Sequence, residues 1–586
     1  MHYAIQTAAI GRPATRRPAF LGTLTGALLI ATEAAQSTQS LSHPSLRRLS
    51  LLVAIPVFVF VLHGVVFGSW LMDDAGISFA YARNLATGHG LVSQPGASPV
   101  EGYSDFLWVL LMAVFFRIGL FHIVWTPKIV ACILTAGSFL VVADTLKRAT
   151  SWGPAIAASA LTLVALQPGF VIWSVSGLEN PLYVFLLCLL MAGVFKLLIA
   201  TSPTRMNIVF TCLVTAGVAA TRPDGMIYVG VVPIVLLARA CMARSLRPWL
   251  GAFAVYGVVT AILLGALVGF RWWYFHDVLP NTYYMKGAGH MGSMLLPDAV
   301  PKIRGLAEAI AGVGRAKWLV IIVLAGTVFL LSTKHFQPIH AVLLLFSAFS
   351  WLAYVLLPMD FMGEYRFATP FFLFFYTYIV ALAWSVCTNM RGPSAARRLT
   401  LAIVIGLLVV VTLVQAAKRS ERFAAEPATS LALVAEYFGD RYNRVAETLG
   451  LDSATLLTVN QGGTLLYSKL MVFDLAGLCD RTIARTIGRD QRAFYDYVFE
   501  QVQPTFIEVH LSWVKVAALD ADPRFQRDYV AIKERIVHEN GVPRVESADF
   551  VRRDVLWGPV ERLTSILGPD SPCCHPPRPA RGYWGY

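Results

Sequence analysis

Apolar runs set the rhythm of this chain, and short polar breaks separate them. The first firm run covers about 51–67. Others lie near 125–145, 154–172, 181–199, 206–221, 225–240, 249–271, 317–333, 338–357, 368–388 and 399–416. About 20 apolar residues suffice to cross a bilayer, so the pattern predicts roughly eleven transmembrane helices. A further run, 106–121, is short and has Arg117 near its end. Were it to cross, Lys147/Arg148, Arg239/Arg244/Arg247 and Arg391/Arg397/Arg398 would all face outward, against the positive-inside rule. Laid along the outer interface as an amphipathic or re-entrant segment, it returns all three clusters to the cytoplasm. Arg47 and Arg48 then sit inside, and the loop that follows the first span lies outside.

The two ends read differently. Residues 1–50 are basic and rich in Ser, Thr and Pro around a short apolar run at 20–31. They are expected to form a disordered leader, with a signal-like segment as the other reading. The transmembrane part is 51–417. Beyond it, 454–459 and 506–509 read as strands, the first followed by Asn460-Gln461-Gly462-Gly463. Residues 418–568 are therefore expected to form an extracytoplasmic α/β domain, and Pro and Gly mark 569–586 as a disordered tail.

Composition agrees with a polytopic α-helical membrane protein. The 586 residues are 56% hydrophobic and only 14% charged, against about 25% charged in soluble chains. The net charge of +13 fits basic cytoplasmic loops. No stripe of Lys and Arg interleaved with aromatics is present, so nucleic acid is not an expected partner. Cys132, Cys188, Cys212, Cys241 and Cys387 lie in or beside apolar runs and read as packing residues. Cys479, Cys573 and Cys574 are spaced unlike a zinc site, and a disulfide from Cys479 to the vicinal pair stays open.

The polar motifs collect on the outer side. The first loop, WLMDDAGISFAYARNLATGHGLVSQPGASPVEGYSD, carries Asp73, Asp74, Glu101 and Asp105. Paired carboxylates at a membrane surface are costly unless they serve a cation, a sugar hydroxyl or a proton. The other reading is that they start a helix. Glu179 stands at the membrane edge in WSVSGLENP, where Pro181 also fits a plain helix start. Arg222 and Asp224 share the turn TRPDG, as an ion pair or as a site. The stretch RWWYFHDVLPNTYYMKGAGH offers Asn281, Tyr283, Tyr284 and Lys286. An aromatic belt accounts for part of it, while a lysine there is suited to a phosphate. Arg366, in MDFMGEYRF, either snorkels or grips a lipid-linked phosphate. Carboxylates for base or metal work, cations for phosphate and aromatics for sugar stacking fit transfer from a lipid-phosphate donor. A proton-coupled transporter would instead place acids near the midplane of its spans.

The motifs MDDAGISFAYARNLATGHGLV, PVEGYSDFLW, SGLENPLY, TRPDG, LPNTYYMKG, GEYRFATP and FDLAGLCD, in this order, resemble the GT-C-type glycosyltransferases of bacterial envelopes, and among these the mycobacterial arabinofuranosyltransferase B proteins. The resemblance covers about 51–480. It implies a GT-C-like fold with interfacial helices in the first outer loop and a polyprenyl-phosphate sugar as donor. It also implies an envelope glycan or glycolipid acceptor, and a site on the outer face of the bacterial cytoplasmic membrane. It assigns Asp73, Asp74 and Glu179 to catalysis. A divalent cation (Mg, Mn or Ca) is possible at Asp73 and Asp74. Two features depart from the pattern: Gly76 stands where a bulky residue is expected, and Ser93-Gln94 where Trp/Phe-Asn is usual.

The mechanism expected from both readings is inverting transfer. One aspartate, with Asp73 favoured, takes the acceptor's proton. Lys286 or Arg366 meets the departing phosphate, with Asn281, Tyr283 and Tyr284 around the donor. Glu101, Tyr103, Arg222 and Asp224 are assigned to the acceptor. A lipid or glycan transporter and a non-catalytic envelope or motility accessory are the alternatives.

Overall fold

The computed structural model describes residues 46–568, apart from 244, 288–298, 358–359, 361, 540–541 and 557–559. The expected leader and tail, Cys573 and Cys574, and the disulfide weighed for Cys479 lie outside the described residues.

Among the described residues, seven helices are long and apolar enough to cross a membrane: Trp125–Ala149, Asn180–Ile199, Pro223–Met242, Arg247–Phe275, Pro338–Leu356, Arg366–Asn389 and Ser394–Ala425. Two bent pairs raise the number to nine. Leu52–Val65 and Arg205–Thr221 are apolar but shorter. The protein is a multi-pass membrane protein, and each of the eleven expected runs is helical, although seven to nine satisfy the length criterion.

One expected straight span, 154–172, is bent by 73° between Gly153–Leu166 and Pro168–Ser174. Pro168 has no N–H to continue the helix and pushes Gln167 into extended backbone, φ −76° and ψ 116°. The short helix after the bend carries Trp173, whose ring lies 5.8 Å from the Arg366 guanidinium. A second break, of 80°, separates Ala299–Ala311 from Ala316–Ser332. Gly312 and Gly314, both left-handed, lie within it.

The short run after the first loop forms the helix Phe106–Arg117, of 12 residues. At 1.5 Å per residue it spans about 18 Å, too little for a hydrocarbon core of about 30 Å. Trp108, Val109, Met112 and Ala113 form its buried face. Before it lies the first-loop helix, Asp73–Ala86.

The C-terminal part holds a five-stranded sheet in the order β2-β1-β3-β5-β4. The strands are β1 (Thr455–Thr458), β2 (Met471–Asp474), β3 (Phe506–His510), β4 (Tyr529–Glu539) and β5 (Val542–Arg552). β2, β1 and β3 are parallel, and β5 and β4 add antiparallel. Helices on the crossovers cover the parallel half, because parallel strands need a helical return. The 32-residue helix Ser394–Ala425 leads from the bundle into this domain. At about 48 Å it is longer than a membrane core. The chain then pairs back on the first loop: Met72 and Ser430 form an antiparallel bridge, and Asp73 N–H donates to Thr429 O at 3.0 Å.

Candidate functional site

The first-loop helix opens on Asp73 and Asp74, as N-terminal acids favour. The two then diverge. Asp73 is buried, and both its carboxylate oxygens are occupied. Oδ1 accepts from Gly463 N–H at 2.7 Å and Oδ2 from Gly462 N–H at 3.1 Å. Burial pushes its carboxyl up to about 7, against the pull of those N–H groups, and the Asp74 charge adds to the rise.

Asp74 faces the bundle. Its carboxylate lies 3.8 Å from Arg366 Nη1 and its side chain is 29% exposed, more than its charged neighbours. Arg366 also pairs with Asp360, Nε to Oδ2 at 2.8 Å. Its guanidinium lies over Phe367 at 4.5 Å and near Trp173 at 5.8 Å. This arginine is buried among partners, so the snorkelling alternative does not describe it. The backbone before it is unusual: Gly363, Glu364 and Tyr365 are all left-handed. That conformation costs on the order of 1 kcal/mol for each non-glycine residue. Trp173 Nε1–H donates to Glu364 O at 3.1 Å, and Arg419 pairs with the Glu364 carboxylate. These contacts hold the turn and fix Arg366 opposite Asp74.

A second buried cluster joins Glu179 to the turn at Arg222 and Asp224. Arg222 donates to Glu179 Oε1 at 2.7 Å and to Asp224 Oδ1 at 2.9 Å. Tyr183 O–H reaches Asp224 at 3.3 Å. Thus Arg222 and Asp224 are an ion pair, and they also anchor Glu179. Asp105 accepts from Ser78 O–H at 2.8 and 3.0 Å. Burial, with the nearby Glu179 charge, pushes Asp105 up to about 8. Lys128, overlooked in the sequence, donates to Val175 O at 3.1 Å and holds the Glu179 turn. Its signal was a lone lysine inside an apolar run.

Of the remaining assigned residues, Asn281 and Tyr284 serve the junction with the C-terminal domain. Asn281 was placed at the donor, but its amide donates to Gly477 O, Leu478 O and Asp480 O at 2.8–3.1 Å. Tyr284 lies beneath Arg485, 4.4 Å from its guanidinium, and Tyr283 packs beside Tyr284. Glu101, assigned to the acceptor, is buried in a two-point pair with Arg271 at 2.8 and 3.1 Å. Tyr103 is buried against Tyr81, ring centres 4.8 Å apart. Asn281 and Glu101 thus already have partners and Tyr103 is shut from solvent, whereas Tyr283 stays open to it. The Lys286 side chain lies outside the described residues.

The donor set does not suit a divalent cation. Asp73 spends both oxygens on N–H groups, and Asp74 faces a guanidinium. Among the described residues no group of three or more His, Cys, Asp or Glu could hold a metal ion.

No family profile matches the sequence, and no curated protein matches it. Solved structures do match. ArnT from Cupriavidus metallidurans bound to undecaprenyl phosphate superposes with a TM-score of 0.50 at 13% identity, over 89% of this chain and 99% of that one. The fold is GT-C-like. Two further structures align less closely. The oligosaccharyltransferase AglB from Archaeoglobus fulgidus, in complex with an inhibitory peptide and a dolichol-phosphate, has a TM-score of 0.48 at 10% identity, over 84% of this chain and 73% of that one. The arabinofuranosyltransferase AftD from Mycobacteria has 0.44 at 14%, over 87% and 40%. At these identities the likeness is one of fold.

Proposed function

We propose that the protein is an inverting glycosyltransferase that moves a sugar from a polyprenyl-phosphate donor to an envelope glycan or glycolipid. The observation that carries this reading is Asp74, a partly open carboxylate held opposite the Arg366 guanidinium. The fold shared with a structure that holds undecaprenyl phosphate supports it. Asp74 rather than Asp73 takes the proton from the acceptor hydroxyl, because both Asp73 oxygens are occupied. The acceptor oxygen bonds to the anomeric carbon as the bond from that carbon to the phosphate oxygen breaks. The phosphate leaves with the electron pair and meets Arg366. Arg366 is suited to this, since a planar guanidinium offers a phosphate two parallel donors. Glu179, anchored by Arg222, orients the acceptor. No step uses a metal. The basic-cluster argument supports placing this site on the outer face of its membrane, which the envelope reading takes to be the bacterial cytoplasmic membrane. Arabinofuranose is the first sugar to try.

A transporter is less well supported. Asp144, the acid that came nearest to a span midplane in the sequence, pairs with Arg148 at a helix end. The deciding assay offers polyprenyl-phosphate sugars and glycan acceptors to the protein in lipid. Transfer should occur and should fall by roughly 10²–10⁴-fold in Asp74→Asn, the usual weight of a general base. Full activity in that variant would sink the assignment.

A further inference from the structure

The Asp73 contact is part of a larger grip. The helix Gly462–Tyr467 follows β1 in the C-terminal domain and is six residues long. Asp73 accepts from the N–H groups of its first two residues. At its other end Arg83 donates to Leu465 O at 3.0 Å and to Leu466 O at 2.9 Å. An acid on the N–H end and a cation on the carbonyl end both match the helix dipole. Between them the backbones come close: a Cβ at Gly76 would lie 2.5 Å from Gly462 C, and one at Gly462 would lie 2.6 Å from Asp73 Oδ1. The carboxyl edge of β1, which a doubly wound sheet turns towards a ligand, is here turned towards the chain's own first loop.

Successive helical residues point about 100° apart. Fixing Asp73 against the C-terminal domain therefore fixes the direction in which Asp74 leaves the same turn. We propose that Asp73 is a positioning residue: with Arg83 it clamps the Gly462–Tyr467 helix onto the first-loop helix, and the clamp holds Asp74 opposite Arg366. The kinetic consequence rests on the glycosyl-transfer reading; the clamp itself does not.

The test uses the full chain in lipid nanodiscs, with amide hydrogen exchange over 460–467 measured beside donor kinetics. Asp73→Asn removes one acceptor, and Gly462→Ala wedges the clamp open while leaving both acids intact. Arg83→Gln loosens the far end and guards against a folding defect peculiar to one variant. Exchange over 460–467 should rise roughly tenfold or more in each, as for loss of a hydrogen bond to a charged group. All three should lower kcat with little change in the donor KM. Unchanged exchange in Asp73→Asn would refute the clamp. So would a fully active Gly462→Ala beside an inactive Asp73→Asn, because Asp73 would then belong to the chemistry. If the unmodified protein transfers no sugar, the functional reading fails and the exchange arm alone decides the clamp.

Discussion

Asp73 and Asp74 are neighbours in sequence and opposites in surroundings. One is shut from solvent against two backbone amides, and the other looks at an arginine across 3.8 Å. The sequence offered no way to divide them, because the division is made by a glycine pair almost 400 positions away. Three first-loop and junction carboxyls carry a shared pH signature. Asp73 and Asp474 are raised to about 7 and Asp105 to about 8, each chiefly by burial. A carboxyl raised above its unfolded value stabilises the fold fully below that value, and the contribution is lost as pH rises through the folded one. The protein should therefore melt at a lower temperature at pH 9 than at pH 6 in the same detergent. Asp105→Asn should flatten part of that slope. A melting temperature that rises over this window would contradict the burial of these groups.

At the scale of elements, apolar periodicity carried most of the reading. Every expected run is a helix, and the short 106–121 run does lie too short to cross. The two strands foreseen in the C-terminal part are β1 and β3. What periodicity missed were the bends: Pro168 was visible, but a proline in an apolar run is compatible with either a kinked span or a straight start. The motifs were found and their roles were partly misread. PNTYY and DLAGLCD were taken separately, whereas Asn281 joins them through three carbonyls. Single-chain pattern cannot show such pairing, because the two stretches are far apart in sequence. Gln94 teaches the same lesson. It departed from the resembling family, and it proves to cap the edge of β2: its amide donates to Val472 O at 2.6 Å and accepts from Val472 N–H at 3.1 Å. An open strand edge needs such cover. Gln94→Ala should destabilise the junction by about 1–3 kcal/mol, the cost of stranded buried partners. Faster amide exchange across 471–474 is the measurement, and an unchanged rate would show that the edge is covered by other means.

At the scale of the whole molecule, the C-terminal domain is a wall of the site rather than an appendage. It meets the bundle through Asp73 and Arg83, through Asn281, and through Asp277 with Arg481 and Arg485 at 3.0 and 2.6 Å. Removing it would bare the Asp73 carboxylate and the Asn281 amide together. A chain ending at Ala425 should still insert its apolar helices into lipid, yet transfer should fall to background. Near-native transfer by that shortened chain would mean that Asp74 and Arg366 hold their places unaided. The helix Ser394–Ala425 enters this wall with Phe423 edge-on to Trp70 at 4.9 Å, and Ser420 bonded to His63 at 2.7 Å. These contacts tie the last span to the first.

The backbone approach at Gly76 and Gly462 also bears on heredity and on engineering. A methyl group at Gly76 would strike the Gly462 main chain, and one at Gly462 would strike the main chain of Asp73, one helical turn before Gly76. A protein of this fold with a bulky residue at the place of Gly76 must seat its C-terminal domain differently. The two glycines should therefore be inherited as a pair, and a domain graft that carries one without the other should fail to close.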